Sequence, residues 1–335
     1  MVVEENSWKT KLDDCKVILT LLIVLYHISC PFNVDSSMSG SIYLYLKSLG
    51  NMVVDSFAFI SGYLFWINVK SIDNVKSKMK KRVFTLLIPY LLWNCINSIF
   101  VILVDNRNNL SNIGHALCGY NWVKGIMLWD CSPHLWYIFM LIFWTALSPL
   151  LFLCYKYKPI LMLLLVCQVI YMIVYKDSIL HSRFIYMIYT WGGILGFYKI
   201  NVFNKIPKGT VWRTLAFGIY LATIAISNHI NNMLGKCWIY CLMMLAFFVI
   251  IFNLKNKLCI TDKLLPYAFW MYAIHFYLDL HIANKMFALI NNPVVAQLST
   301  YIIVLTFAIT SGVLLKRIMP FLYKALTGNR VVNQH

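Results

Sequence analysis

VILTLLIVLYHISCPF, residues 17–32, is the stretch that decides what kind of chain this is. It holds no charged residue and, wound as a helix at about 1.5 Å per residue, it approaches the roughly 20 residues needed to cross a bilayer. It lacks the small-x-small site that would end a cleavable signal peptide, and it carries a histidine. It therefore reads as a retained membrane helix.

The rest of the 335-residue chain is built the same way, with 61% apolar and 12% charged residues. Soluble domains carry about 25% charged residues, so this chain cannot coat a water-facing surface and is no ordinary cytosolic enzyme or disordered scaffold. The net charge of +17 would point to nucleic acid in a soluble protein. Here the basic residues lie between apolar runs, so membrane lipid is the expected neighbour and nucleic acid is not. The ten cysteines fall mostly inside apolar runs, without zinc-ligand spacing, and read as small buried hydrophobes. Cys118 and Cys131 share one polar loop and could pair there if it faces an oxidising compartment.

Apolar runs near 17–33, 52–69, 83–104, 135–155, 159–175, 184–198, 211–227, 237–252, 264–283 and 294–315 predict an all-α polytopic protein with about ten transmembrane helices. SIYLYLKSLG (41–50) is apolar but too short to span, and fits the interface. With the N-terminus placed in the cytoplasm, 22 of the 29 Lys and Arg residues fall on inside segments and 7 on outside ones. Both termini are then cytoplasmic, with short tails at about 1–15 and 317–335. The chain reads as a single membrane domain over 1–335, with its longest exterior loop, about 105–134, placed to cap a cavity.

Ionisable residues inside spans are expensive and mark candidate sites: His27 in the first, Asp55 in the second, and His275, Asp279 and His281 in the ninth. Lys16 and His27 are eleven steps apart, so they share a helix face, about 16 Å apart along the axis. That face suits a cation at the inner surface and a general base deeper in. It equally suits a histidine bonded to a neighbouring helix and a snorkelling lysine. Tyr272, His275 and Asp279 share a face of the ninth span, where the carboxylate could fix the imidazole's tautomer or simply glue helices. Lys76, Lys78, Lys80, Lys81 and Arg82 form the densest basic cluster. It enforces topology, and would also suit a phosphate-bearing ligand from the cytosol.

Taken in order along the chain, these features resemble the membrane acyltransferase-3 family, the integral O-acyltransferases of bacterial surface polysaccharides. LDDCKVILTLLIVLYH (12–27) is similar to the family's Arg-x10-His motif, with Lys16 keeping the charge but not arginine's two-pronged donor fork. VDSFAFISG (54–62), with Ser61 and Gly62, is similar to its V-D-L-F-F-x-x-S-G pattern, Ala58 standing for the second phenylalanine. KKRVFTLLIPYLLW (80–93) resembles its basic run before a proline, although Arg82 is followed by Thr85 where the second basic residue is expected. His134, Leu135, Trp136 and Tyr137 match H-L-W-F/Y. WGGILGFY (191–198) and MYAIH (271–275) resemble its glycine-rich sixth helix and late I-Y-x-x-H.

The resemblance implies transfer of an acyl group, most often acetyl, from cytosolic acyl-CoA as co-substrate to a sugar hydroxyl of a surface or lipid-linked glycan. No tightly bound cofactor and no metal are expected. Lys16, Lys80, Lys81 and Arg82 would bind the donor, and His27 would act as base, with Tyr272 and His275 orienting the acceptor or stabilising the oxyanion. Asp55, Ser61, Gly62, His134, Trp136 and Asp279 complete the candidate residues. The expected place is the bacterial cytoplasmic membrane, spanned many times. A flippase for a lipid-linked sugar and a sensor subunit without chemistry are the rival readings, since polar spans also mark substrate paths.

Overall fold

A computed structural model describes residues 2–30, 37–104, 133–175 and 181–329. Among these the ordered elements are all helical: α1 (Val2–His27), α2 (Met38–Ser48), α3 (Val53–Trp66), α4 (Ile72–Arg82), α5 (Ile88–Val104), α6 (Trp136–Ala146), α7 (Ser148–Lys156), α8 (Lys158–Val174), α9 (His181–Phe197), α10 (Thr210–Ser227), α11 (Met233–Phe252), α12 (Thr261–Leu264), α13 (Ala268–Leu289), α14 (Pro293–Ile318) and α15 (Pro320–Thr327). Each of the ten apolar runs overlaps one or more helices.

Three described helices, α10, α11 and α14, are long and apolar enough to cross a membrane by themselves, and a fourth span arises if the bent pair α6–α7 is one. α1 starts and stops earlier than the apolar run suggests. It includes most of the expected N-terminal tail and ends at His27, where a span to 33 is expected. The expected C-terminal tail also folds in part, as the end of α14 and as α15. The loop bearing Cys118 and Cys131 lies outside the described residues.

Proline writes the breaks. Pro149 cannot donate to the carbonyl of Thr145, and the Ser148 hydroxyl takes over, donating to it at 2.6 Å. The helix bends by 59° there, giving α6 and α7. Pro89 likewise has no N–H to donate to the Thr85 carbonyl. The preceding turn, Val83–Leu87, widens into a π-helix. α4 begins with a capping box between Ser71 and Asn74.

The chain divides into two compact units, one of residues 1–70 with 153–307, the other of 71–152 with 308–335. In the second, α4 and α6 pack about the π-turn, and α15 lies on α5, where the Trp93 indole donates to the Leu326 carbonyl at 3.0 Å. In the first, the closest seam is α3 against α9. Gly192 and Gly196 form a small-xxx-small stripe facing Gly62. A Cβ on Gly62, Gly192 or Gly196 would lie 2.2, 2.4 or 2.4 Å from the carbonyl oxygens of Tyr189, Phe59 and Tyr63. The backbones therefore touch directly, and no side chain fits between them. Near one end of this seam Phe203 is buried, parallel to Trp8 and Phe252 and edge-on to Tyr63. The outer faces of α8, α10 and α14 expose Leu163, Ile173, Val211, Phe217, Ile302 and Leu314, as lipid-facing surfaces do.

Gly192→Ala is expected to cost about 1–3 kcal/mol by overpacking, because a backbone carbonyl, which cannot rotate away, meets the added methyl. Thermal unfolding in detergent reads this, and an unchanged midpoint would refute the close approach.

Candidate functional site

The site starts from a clamp that the apolar pattern does not announce. Asp14 is fully buried in α1. Its Oδ1 accepts from the Thr261 hydroxyl at 2.5 Å and from the Leu258 amide at 3.2 Å, while Lys11 lies 3.6 Å from Oδ2. Lys11 also donates to the Asn256 carbonyl at 2.7 Å. One carboxylate therefore ties α1 to the start of α12, which runs through a 3-10 turn (Leu265–Tyr267) into α13.

From the clamp both strands of chain run the same way. His27 is thirteen residues beyond Asp14, and His275 is fourteen beyond Thr261. At about 1.5 Å per residue both reach a similar height, roughly 20 Å away. There the two imidazoles meet, with ring centroids 5.1 Å apart and planes tilted by 45°. Phe276 stands edge-on to His27 at 5.6 Å, as does Tyr26 at 5.4 Å. His27, the last residue of α1, is partly exposed, whereas His275 is fully buried.

The tautomer of His275 is set by the backbone. Its Nδ1 lies 2.7 Å from the Tyr272 carbonyl oxygen. A carbonyl only accepts, so Nδ1 carries the hydrogen, and on a singly protonated ring Nε2 is then the acceptor. Asp279 shares the helix face but neither carboxylate oxygen has a hydrogen-bond partner among the described residues. The backbone, one turn earlier, does the work expected of the carboxylate. The Tyr272 ring is 5.9 Å from His275.

The other candidates separate by place. Lys16 lies on α1 and its ammonium donates to Asp13 at 2.7 Å, the pair being about a third exposed. Asp55 is fully buried in the first turn of α3, within electrostatic reach of Tyr26 and of Cys237, Tyr240 and Cys241 on α11. Ser61 is half-buried on α3, and Gly62 is a packing residue of the α3–α9 seam. Lys80, Lys81 and Arg82 end α4, in the second unit, with both lysines exposed. His134 is buried in the 3-10 turn Pro133–Leu135 and Trp136 opens α6, also in the second unit. His281 is half-buried on α13. The structure thus brings together His27, His275 and Tyr272, with Asp55 linked through Tyr26. Asp14, Thr261, Phe276 and Tyr26 are the neighbours that sequence reasoning passed over. Asp14 alone left a signal, as an acidic residue at the edge of an apolar run.

Asp14→Ala strips the Thr261 hydroxyl and Leu258 amide of their acceptor, at about 1–3 kcal/mol for each buried group left unfilled. A lowered unfolding midpoint, with Asp14→Asn intermediate, is the expected result. Wild-type stability in Asp14→Ala would dissolve the clamp.

No curated protein and no solved structure matches the chain. The acyltransferase-3 family model, described as an acyltransferase domain, matches residues 10–317, a stretch that holds α1 from Thr10 onward, both histidines and the basic end of α4. The chain belongs to that family of membrane acyltransferases.

Proposed function

We propose that this chain is an O-acyltransferase that crosses a bacterial cytoplasmic membrane with about ten helices, both termini inside. It moves an acyl group, foremost acetyl, from cytosolic acyl-CoA to a sugar hydroxyl of a surface or lipid-linked glycan. The observation that carries this reading is the contact of His27 with His275 at matched heights on two parallel, clamped helices.

His27 is the partly exposed member of the pair and is assigned the role of general base. It takes the proton of the acceptor hydroxyl as the oxygen attacks the thioester carbonyl. The new C–O bond forms, the C–S bond breaks, and the departing thiolate recovers the proton from the imidazolium. His275, its Nδ1 hydrogen held by the Tyr272 carbonyl, packs its ring against His27 and orients it. The Tyr272 hydroxyl stabilises the oxyanion. The donor's phosphates are assigned to cations. Lys16 lies at the foot of the His27 face, and its partner Asp13 is the group an incoming phosphate displaces. Within the other unit, the α4 cluster of Lys78, Lys80, Lys81 and Arg82 also suits a phosphate.

In that cluster the Lys78 ammonium is pushed down to about 8, first by burial and then by Arg82 and Lys81. A bound polyanion favours the charged form. Donor KM should therefore be flat below about pH 7 and rise as Lys78 loses its proton above about 8, with the rise abolished in Lys78→Arg. A flat wild-type profile to pH 9.5 would remove Lys78 from donor binding.

His27→Ala should keep its fold and its affinity for acetyl-CoA while losing about 10²–10⁴-fold in transfer rate. Thiol release with mass analysis of the acceptor measures it. Full transfer in that variant would exclude the mechanism, and a wild type that releases no thiol under any acceptor would favour a transport role.

A further inference from the structure

α13 and α14 each hold one buried polar side chain that the mechanism above does not use. Asp279 is 2% exposed and Gln297 is 0% exposed. Neither carboxylate oxygen of Asp279, and neither Oε1 nor Nε2 of Gln297, has a hydrogen-bond partner among the described residues. Polar atoms left unfilled in an interior are costly, and far from bulk water the cost is not relieved locally.

Their convergence follows from the register of the two helices. Ala283 and Phe287 of α13 share a core cluster with Ala296 of α14, and Tyr301 packs against it. One turn back along α13 from Ala283 is Asp279, and one turn along α14 from Gln297 is Tyr301. Asp279 is within electrostatic reach of Tyr301, whose hydroxyl donates to the Leu21 carbonyl of α1 at 3.2 Å. Carboxylate, amide and phenol therefore gather on one stretch of the α1–α13–α14 core, one helical turn from His275.

We propose that Asp279 and Gln297 form a subsite for a hydroxyl-bearing guest: Asp279 accepts from one hydroxyl, and Gln297 donates through Nε2 and accepts through Oε1. Two acceptor oxygens beside an amide suit neighbouring hydroxyls, each of which both donates and accepts. A sugar hydroxyl and a bound water have this same chemistry. The sugar version rests on the transferase reading above, whereas the water version does not.

The test uses the full chain in detergent, with acetyl-CoA as donor and N-acetylglucosamine as the probe sugar. Gln297→Leu and Asp279→Asn keep side-chain size, and Gln297→Met is the second variant if leucine does not fold. If the guest is the sugar, both variants raise its KM at least tenfold, leave the acetyl-CoA KM within twofold, and lose the sugar's protection against thermal unfolding. If the guest is water, both KM values hold, each variant lowers the unfolding midpoint, and the double variant falls by less than the sum of the two. A midpoint that rises in either single variant, or losses that simply add, with both KM values unchanged, overturn the proposal. If the wild type transfers nothing, the transferase reading fails while the unfolding measurements still decide the subsite.

Discussion

A buried carboxylate at residue 14 sets the register of the catalytic candidates. Two helices can slide along each other as long as only apolar surface joins them, because such contact has no preferred step. Asp14 removes that freedom, since its hydrogen bonds to Thr261 and Leu258 hold at one longitudinal setting only. With that setting fixed, nearly equal lengths of chain deliver His27 and His275 to the same height. The pairing of imidazoles is thus determined far from where it occurs.

The α3–α9 seam provides the complementary constraint, across rather than along the helices. Where hydrocarbon surrounds a protein, burial of apolar surface gives little reason for helices to associate, and close backbone approach takes its place. Gly62, Gly192 and Gly196 supply that approach. This gives a physical reason for the glycines in WGGILGFY and at the end of VDSFAFISG, two stretches that resemble family motifs. They build the frame against which α1 and α11 lie.

Much of this was legible in the sequence because hydropathy and helical phase are local properties. The ten apolar runs, the all-helical class and the family match all rest on patterns within a few turns, and so did the prediction that Lys16 and His27 share a face. What was illegible depends on partners distant in sequence. Asp14 and Thr261 are 247 residues apart, and neither has a pattern that names the other. The partner of His275 was illegible for a related reason: it is a backbone carbonyl, which every residue has and no pattern marks. Gln297 went unnoticed because an uncharged amide barely disturbs the hydropathy of its run. Breaks and ends were less legible: proline and serine bend 135–155 into two helices, and α1 stops at His27, short of 33.

The π-turn at Val83–Leu87 has a geometric outcome of its own. A hydrogen bond reaching back five residues inserts one extra position into the winding. Everything after it is rotated by about 100° relative to an uninterrupted α-helix. The basic residues of α4 and the apolar residues of α5 therefore belong to one rod with a phase slip between its halves. Deleting a single residue within 83–87 would bring them back into phase, turning Trp93 away from the Leu326 carbonyl that it now binds. The slip acts as an angular gear, letting one continuous helix present its cations in one direction and its packing surface in another.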